Sequence, residues 1–199
     1  MTPELTANGL TPAEHRALRE LYALSRQLAS HWGALAESLD GQARDVLRVG
    51  GAVARELLRE LPERTAPHDL HGRLAAQGVG ARLADMRNGA GDAFLERAQA
   101  LRLAVLDVQH LTTLLGYLER LATARGDEAL AGFHRAWREK LTVSEGEARE
   151  VAVAAGDDPD GAIAPLRPSA AGRAANGLAQ AVGTAGEWVD RQAARARGR

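Results

Sequence analysis

The chain has 199 residues, with 25 Lys and Arg against 26 Asp and Glu, and it contains no cysteine. The missing cysteines exclude disulfides, thiolate nucleophiles and zinc fingers, and the balanced charge argues against a surface that binds nucleic acid or anionic lipid throughout. Aromatic residues make up only 4% of the chain, and the helix-forming residues Ala, Leu, Arg and Glu dominate over the β-branched ones. The composition predicts an all-α protein.

Residues 1–10 form an N-terminal tail ahead of the first predicted helix. Thr11 and Glu14 have the spacing of a capping box, and Pro12 occupies the first helical position, where proline is favoured. Leucines, with Ser25 and Trp32 at two of the positions, then recur at every third or fourth position until the chain reaches Asp40, which precedes a glycine. This spacing predicts one long helix with a continuous apolar face.

The second predicted helix forms a hairpin with the first. It covers residues 42–61, because Pro62 lacks the N–H group that a continuing helix needs. The turn between the two helices is short, so they are expected to run antiparallel. In that register Trp32 lies level with Gly50 and Gly51, which would pack a large side chain against two small residues.

A long connection, residues 62–91, separates this hairpin from a second one. The second hairpin consists of a helix over 92–124, capped by its first residue, and a helix over 127–155. Two hairpins joined by a long crossover predict an up-down four-helix bundle over residues 11–155.

The chain beyond the bundle is predicted to contain a linker, residues 156–168, and an extra C-terminal helix, residues 169–197. This last helix is rich in Ala and Gly and poor in large side chains. Such a helix buries little apolar surface by itself, so we expect it to pack closely on the bundle or on a second chain. Arginines from Arg191 onward make its end basic.

The predicted layout resembles ferritin-like bundles in the length and order of its helices. In that family, metal is held by a Glu from each of two helices and by a Glu-x-x-His motif from each of the other two. This chain contains no Glu-x-x-His, and its nearest equivalent is the single segment from Asp107 to His110.

Asp107 and His110 are nevertheless the best candidates for a metal-binding or catalytic site. Their i, i+3 spacing places them on neighbouring positions of one helix face, as two metal ligands or an acid–base pair require. The hairpin register sets Asp107 level with Glu145 and predicts a metal cluster of Asp107, His110 and Glu145 inside the bundle, near Ser144. The alternative is a structural pairing of Asp107 and His110 with each other or with Arg149.

The other histidines suggest weaker sites. His68 and His71 have His-x-x-His spacing and with Asp69 offer three ligands, but the sequence near them offers no fourth one. His134 is expected to be half-buried beside aromatic residues, whereas His15 and His31 are expected at the surface or the rim of the bundle.

Three functions are compatible with this pattern. The first is a soluble helical bundle that acts by packing or assembly, a non-enzymatic interaction or structural protein that binds its own copy or another protein. The second is a ferritin-like metal or redox protein that holds a divalent metal at the predicted cluster; no other cofactor is expected. The third is an adaptor whose basic tail contacts nucleic acid or lipid without sequence specificity. No signal peptide or membrane-length apolar stretch is visible, so a cytoplasmic location is expected.

Overall fold

The computed structural model describes residues 9–70 and 95–166, and within these ranges the chain is helical and has no strand. The helices are α1 (Pro12–Ser38), α2 (Gly41–Thr65), α3 (Arg97–Arg125), α4 (Glu128–Ala154) and the short α5 (Pro159–Ala162). The all-α prediction is confirmed. The predicted C-terminal helix over 169–197 lies outside the described residues, as do most of the long connection and of the N-terminal tail.

The start of α1 is the predicted capping box. The Glu14 backbone N–H donates to Thr11 Oγ1 at 3.2 Å, and the Thr11 N–H donates to Glu14 Oε2 at 2.9 Å. Glu14 is only 1% exposed and also accepts from Arg125 Nε at 3.1 Å. Arg125 in turn binds Asp127 at 3.0 Å, so the first turn of α1 is tied to the turn between α3 and α4.

The contact of Trp32 with the paired glycines is confirmed. A Cβ atom built on Gly50 would lie 2.6 Å from Cε3 of Trp32 and even closer to Cζ3, so only glycine leaves room for the indole. A Cβ atom on Gly51 would keep ordinary contacts of 3.6 Å or more. The Trp32 Nε1–H also donates to the Ala104 carbonyl oxygen at 3.3 Å, which links the α1–α2 hairpin to α3.

The sequence predicted that helix α2 ends before Pro62. In the structure the helix continues to Thr65. A proline inside a helix costs about 3 kcal/mol, so the additional turn needs other contacts. The buried Thr65 hydroxyl supplies them, because its Oγ1 lies 2.6 Å from the Leu70 carbonyl oxygen and 2.7 Å from the Tyr22 hydroxyl. Tertiary contacts here outweigh the local effect of Pro62.

Helix α3 begins at Arg97 and not at Asp92, which lies outside the described residues. Leu95 and Glu96 are not helical, because they pair with the chain that follows α5: the Leu166 N–H donates to the Leu95 carbonyl oxygen at 3.0 Å. Glu96 caps the helix instead of Asp92. The sequence-based start was wrong because a distant segment holds these residues extended.

The predicted linker is folded as far as Leu166. Asp158 caps α5 by accepting the Gly161 N–H at 3.1 Å, and Leu166 is buried in the hydrophobic core. These contacts hold residues 156–166 against the beginning of α3.

A short turn joins α3 to α4. Gly126 adopts φ of +84°, a left-handed conformation that glycine adopts without strain. Asp127 caps α4 by accepting the Leu130 N–H at 2.9 Å, as its position at the predicted helix start suggested.

The two hairpins pack on each other through α1 with α3 and through α2 with α4. Between α2 and α4, the Trp137 Nε1–H donates to Glu60 at 3.2 Å and the Arg64 guanidinium lies 5.7 Å from the centre of the Phe133 ring. In these two contacts the later residue of α2, Arg64, meets the earlier residue of α4, Phe133. The two helices therefore run antiparallel. Leucines and alanines from all four long helices form one hydrophobic core. No helix in the described ranges is long and apolar enough to cross a membrane.

Candidate functional site

A buried hydrogen bond between α1 and α3 involves one of the predicted site residues, Asp107. Its Oδ2 lies 2.6 Å from Nδ1 of His31, and both side chains are almost completely buried. A carboxylate only accepts hydrogen bonds, so His31 carries its proton on Nδ1 and the pair fixes the orientation of the ring. Asp107 therefore faces the bundle interior as expected, but its partner comes from α1.

The expectation that His31 lies at the surface or the rim of the bundle is wrong, because its side chain is buried. The sequence does contain a signal for its burial, because His31 follows Leu28 by three residues and precedes Leu35 by four. Such positions lie on the same apolar face of a helix. The apolar face of α1 is wider than the single line of leucines suggests.

His110 lies at the surface, so the expectation that it shares the interior with Asp107 is wrong. Its side chain is 56% exposed, and its Nε2 lies 3.3 Å from Glu20. Three residues turn a helix by about 300°, which moves His110 to the outer edge of the contact between α1 and α3.

Glu145 is also separate from Asp107. Its partners are Thr112, whose Oγ1 lies 3.3 Å from Oε2, and Arg149, whose guanidinium donates to Oε1 at 2.6 Å. Thr112 follows Asp107 by five residues, which is about 140° around the helix. Asp107 thus faces α1 whereas Thr112 and Glu145 meet on the side of α3 that contacts α4.

The predicted cluster of Asp107, His110 and Glu145 is therefore divided among three places. In the described part of the chain, no three His, Asp or Glu side chains come together as a metal site would require. His68 lies in a short 3-10 turn after α2, and its predicted companion His71 is outside the described residues.

His134 is more deeply buried than expected. It has no exposed surface, and neither ring nitrogen has a hydrogen-bond partner among the described residues. Burial lowers the pKa of His134 from its ordinary 6.5 to about 4, although the carboxylates of Glu14, Asp127 and Glu119 oppose the shift. The imidazole is neutral near pH 7 and packs edge-on against Phe133, with 5.6 Å between the ring centres.

A surface groove runs between α3 and α4 on the side away from α1 and α2. We call it the outer groove; its volume is about 330 Å³, and it is lined by Arg102, Val105, Leu106 and Gln109 of α3 and by Arg149, Ala152 and Val153 of α4. Leu106 is 55% exposed and Val153 is 74% exposed. The guanidinium of Arg102 has no ion-pair partner within the described ranges, whereas Arg149 binds Glu145.

The outer groove was not predicted from the sequence, because the apolar periodicity marks only the residues that point into the core. Leu106 and Val153 directly follow the buried residues Val105 and Ala152, and adjacent helical residues point about 100° apart. The sequence did contain a signal for the groove, which is the presence of a large apolar residue on each helix at a position outside the predicted apolar face.

A second pocket, of about 230 Å³, lies where the α1–α2 turn and the start of α2 meet the beginning of α3, the end of α4 and α5. Of its three charged residues, Arg97 and Asp40 bind each other at 2.9 Å, and Asp158 accepts the Gly161 N–H at 3.1 Å. All three charged side chains are engaged in contacts within the chain, so this pocket offers less binding chemistry than the outer groove.

Comparison with models of known protein families, with curated proteins and with solved structures finds no match for this chain. Its function has to be argued from the geometry of its own residues.

Proposed function

We propose that this protein is a soluble interaction module whose four long helices form an up-down bundle and whose outer groove receives a helix of a protein partner. The observation that carries the proposal is the exposure of Leu106 and Val153 on the two walls of one groove. Neighbouring apolar side chains that remain exposed between polar residues are typical of protein-binding surfaces.

The shape of the groove favours a helix as the partner. Two helices packed side by side leave a furrow between them, and an amphipathic helix can lay its apolar side chains in such a furrow. Arg102 lies beside the apolar residues and would bind a carboxylate of the incoming helix.

The paired polar groups inside the bundle support a non-catalytic role for this protein. Glu14 is paired with Arg125, and Asp107 is paired with His31, so these buried carboxylates are held by contacts between helices. Each pair joins α1 to α3 or to the turn that follows it. We interpret them as parts of the scaffold that carries the groove.

Site-specific photocrosslinking tests the proposal. A benzophenone amino acid is placed at position 106 in one sample and at position 143 in another, because Val143 is 63% exposed on α4 but does not line the groove. In cells that make the protein natively, we expect a discrete protein adduct from position 106 and none from position 143. Val153→Asp should remove the adduct, since a carboxylate in the groove would disfavour apolar contact. The absence of any adduct from position 106 would overturn the proposal.

A further inference from the structure

The start of α4 contains a buried histidine, His134, whose protonation the closed bundle disfavours. We propose that residues 128–138 open away from the bundle in acid while the rest stays folded, and that protonation of His134 drives this opening. The opened segment would present Leu130, Phe133 and Trp137, which are buried in the closed bundle. Acid would thus uncover an apolar helix face that is hidden at neutral pH.

In the closed bundle, His134 is packed as an uncharged group. Its side chain has no exposed surface, and neither ring nitrogen has a hydrogen-bond partner among the described residues. A protonated imidazole has two N–H donors and a positive charge, and burying such a group without a partner costs far more free energy than burying the neutral ring. A proton on His134 therefore favours a conformation in which the ring reaches water.

The carboxylates at the turn before α4 already have another partner. Glu14 on α1 and Asp127 in the turn both act on the charge of His134. Arg125 binds Glu14 at 3.1 Å and Asp127 at 3.0 Å, and His68, in the 3-10 turn after α2, also acts electrostatically on Asp127. In the closed bundle neither carboxylate accepts a hydrogen bond from His134.

The other charged groups beside this part of α4 are engaged as well. Glu119 on α3 also acts on the charge of the imidazole, but it is bound by Arg135 at 2.7 Å and by Arg138 at 2.9 Å. On α2, Glu60 accepts an indole N–H of α4 at 3.2 Å, and the Arg64 guanidinium lies 5.7 Å from the centre of a phenyl ring of α4. The closed bundle therefore offers the protonated ring attractive charges but no hydrogen-bond acceptor.

The start of α4 is the part of the bundle that acid can release first. One contact that closes it on α3 is the ion pair of Arg135, whose side chain is half-exposed, and exposed ion pairs contribute little to stability. Elsewhere the helices are joined by buried hydrogen bonds between uncharged groups, as from Trp32 to the Ala104 carbonyl oxygen and between Tyr22 and Thr65. These uncharged groups gain no proton in mild acid, so their contacts remain.

The size of the effect follows from the two surroundings of His134. Burial lowers its pKa to about 4 in the closed bundle, and the ring regains its ordinary pKa of 6.5 in the opened segment. Between these values the open form binds a proton that the closed form lacks, so opening becomes more favourable as the pH falls. From pH 7.5 to pH 4.5 the equilibrium constant for opening should rise about 70-fold.

Native-state hydrogen exchange of the full chain at pH 7.5 and pH 4.5, corrected for the intrinsic exchange rates, tests the proposal. Amides of residues 128–138 should lose about 70-fold in protection at the lower pH. Low concentrations of urea should barely change this loss, because a local opening exposes little surface. Exchange of this segment that rises with urea as steeply as that of the most protected amides would mean that only global unfolding releases His134, which would overturn the proposal. Protection that does not change with pH would also overturn it.

Two variants and one titration assign the effect to His134. His134→Leu should reduce the pH-dependent loss of protection to less than about fivefold, whereas His110→Leu should keep it, because His110 is exposed. Circular dichroism melting shows whether each variant folds. The imidazole resonance of His134 in the unaltered protein, followed by NMR, needs no variant and should titrate near pH 4. Titration at the ordinary value, or an undiminished loss in folded His134→Leu, would contradict the role of His134.

Discussion

At the scale of the residue, the fit between Trp32 and Gly50 is the tightest packing constraint in the α1–α2 hairpin. The indole occupies the volume that a side chain at position 50 would need, and it is itself completely buried. Its ring N–H binds α3, so the indole cannot move away without breaking that contact. The neighbouring Gly51 is also buried, but a Cβ atom there would make only ordinary van der Waals contacts.

Gly50→Ala should therefore destabilise the protein by about 1–3 kcal/mol through overpacking. Gly51→Ala is the matched control and should be neutral or stabilising by up to about 1 kcal/mol, because alanine favours a helix more than glycine does. Urea unfolding of both variants measures the difference. Equal effects at the two positions would contradict the role given to Trp32.

At the scale of the element, the last turn of α2 exists because Thr65 connects it to two other parts of the chain. The Thr65 hydroxyl has one proton, which it donates to the Leu70 carbonyl oxygen while it accepts from the Tyr22 hydroxyl. Burial raises the pKa of Tyr22, so its hydroxyl stays protonated and remains a donor at neutral pH.

Thr65→Val keeps the shape of the side chain but leaves Tyr22 and Leu70 without their partner, so it should cost about 1–3 kcal/mol. Tyr22→Phe should lower the free energy of unfolding by less in the Thr65→Val variant than in the unaltered protein, because the two hydroxyls act as a pair. A double-mutant cycle in urea measures this coupling. Thr113→Val serves as the control, since that exposed hydroxyl donates only to the Gln109 carbonyl of its own helix. Additive effects of Thr65→Val and Tyr22→Phe would show that they are independent.

At the scale of the whole molecule, His134 couples stability to pH. Its pKa is about 4 in the folded protein and about 6.5 when the chain unfolds. Between these values the unfolded chain binds a proton that the folded protein does not, so stability falls as the pH falls through this window. The loss should approach about 3 kcal/mol by pH 4.

His134→Leu should remove this part of the pH dependence, which urea unfolding at pH 7.5 and pH 4.5 can measure. The protein will also lose stability in acid through its paired carboxylates, but that loss is common to both proteins and cancels in the comparison. His110→Leu should keep the original pH dependence, because His110 is exposed. An unchanged pH dependence in His134→Leu would show that the imidazole is already charged in the folded state.

The sequence by itself determined the features that depend on neighbouring residues. The capping box of Thr11 and Glu14, the helix start near Asp127 and the level position of Trp32 and Gly50 are all confirmed. Helix caps need only residues within one turn, and a short turn leaves two antiparallel helices a single register. Asp107 was correctly placed inside because it belongs to the apolar periodicity of α3.

Tertiary structure decided the features that depend on contacts between distant segments. Leu166 holds Leu95 extended and so sets the start of α3, and Thr65 carries α2 past Pro62. Asp107 binds His31 of the other hairpin, and the position of Asp107 along α3 does not predict this partner. A helix offers polar side chains to neighbours on several sides, and only the packed neighbours determine which contacts form.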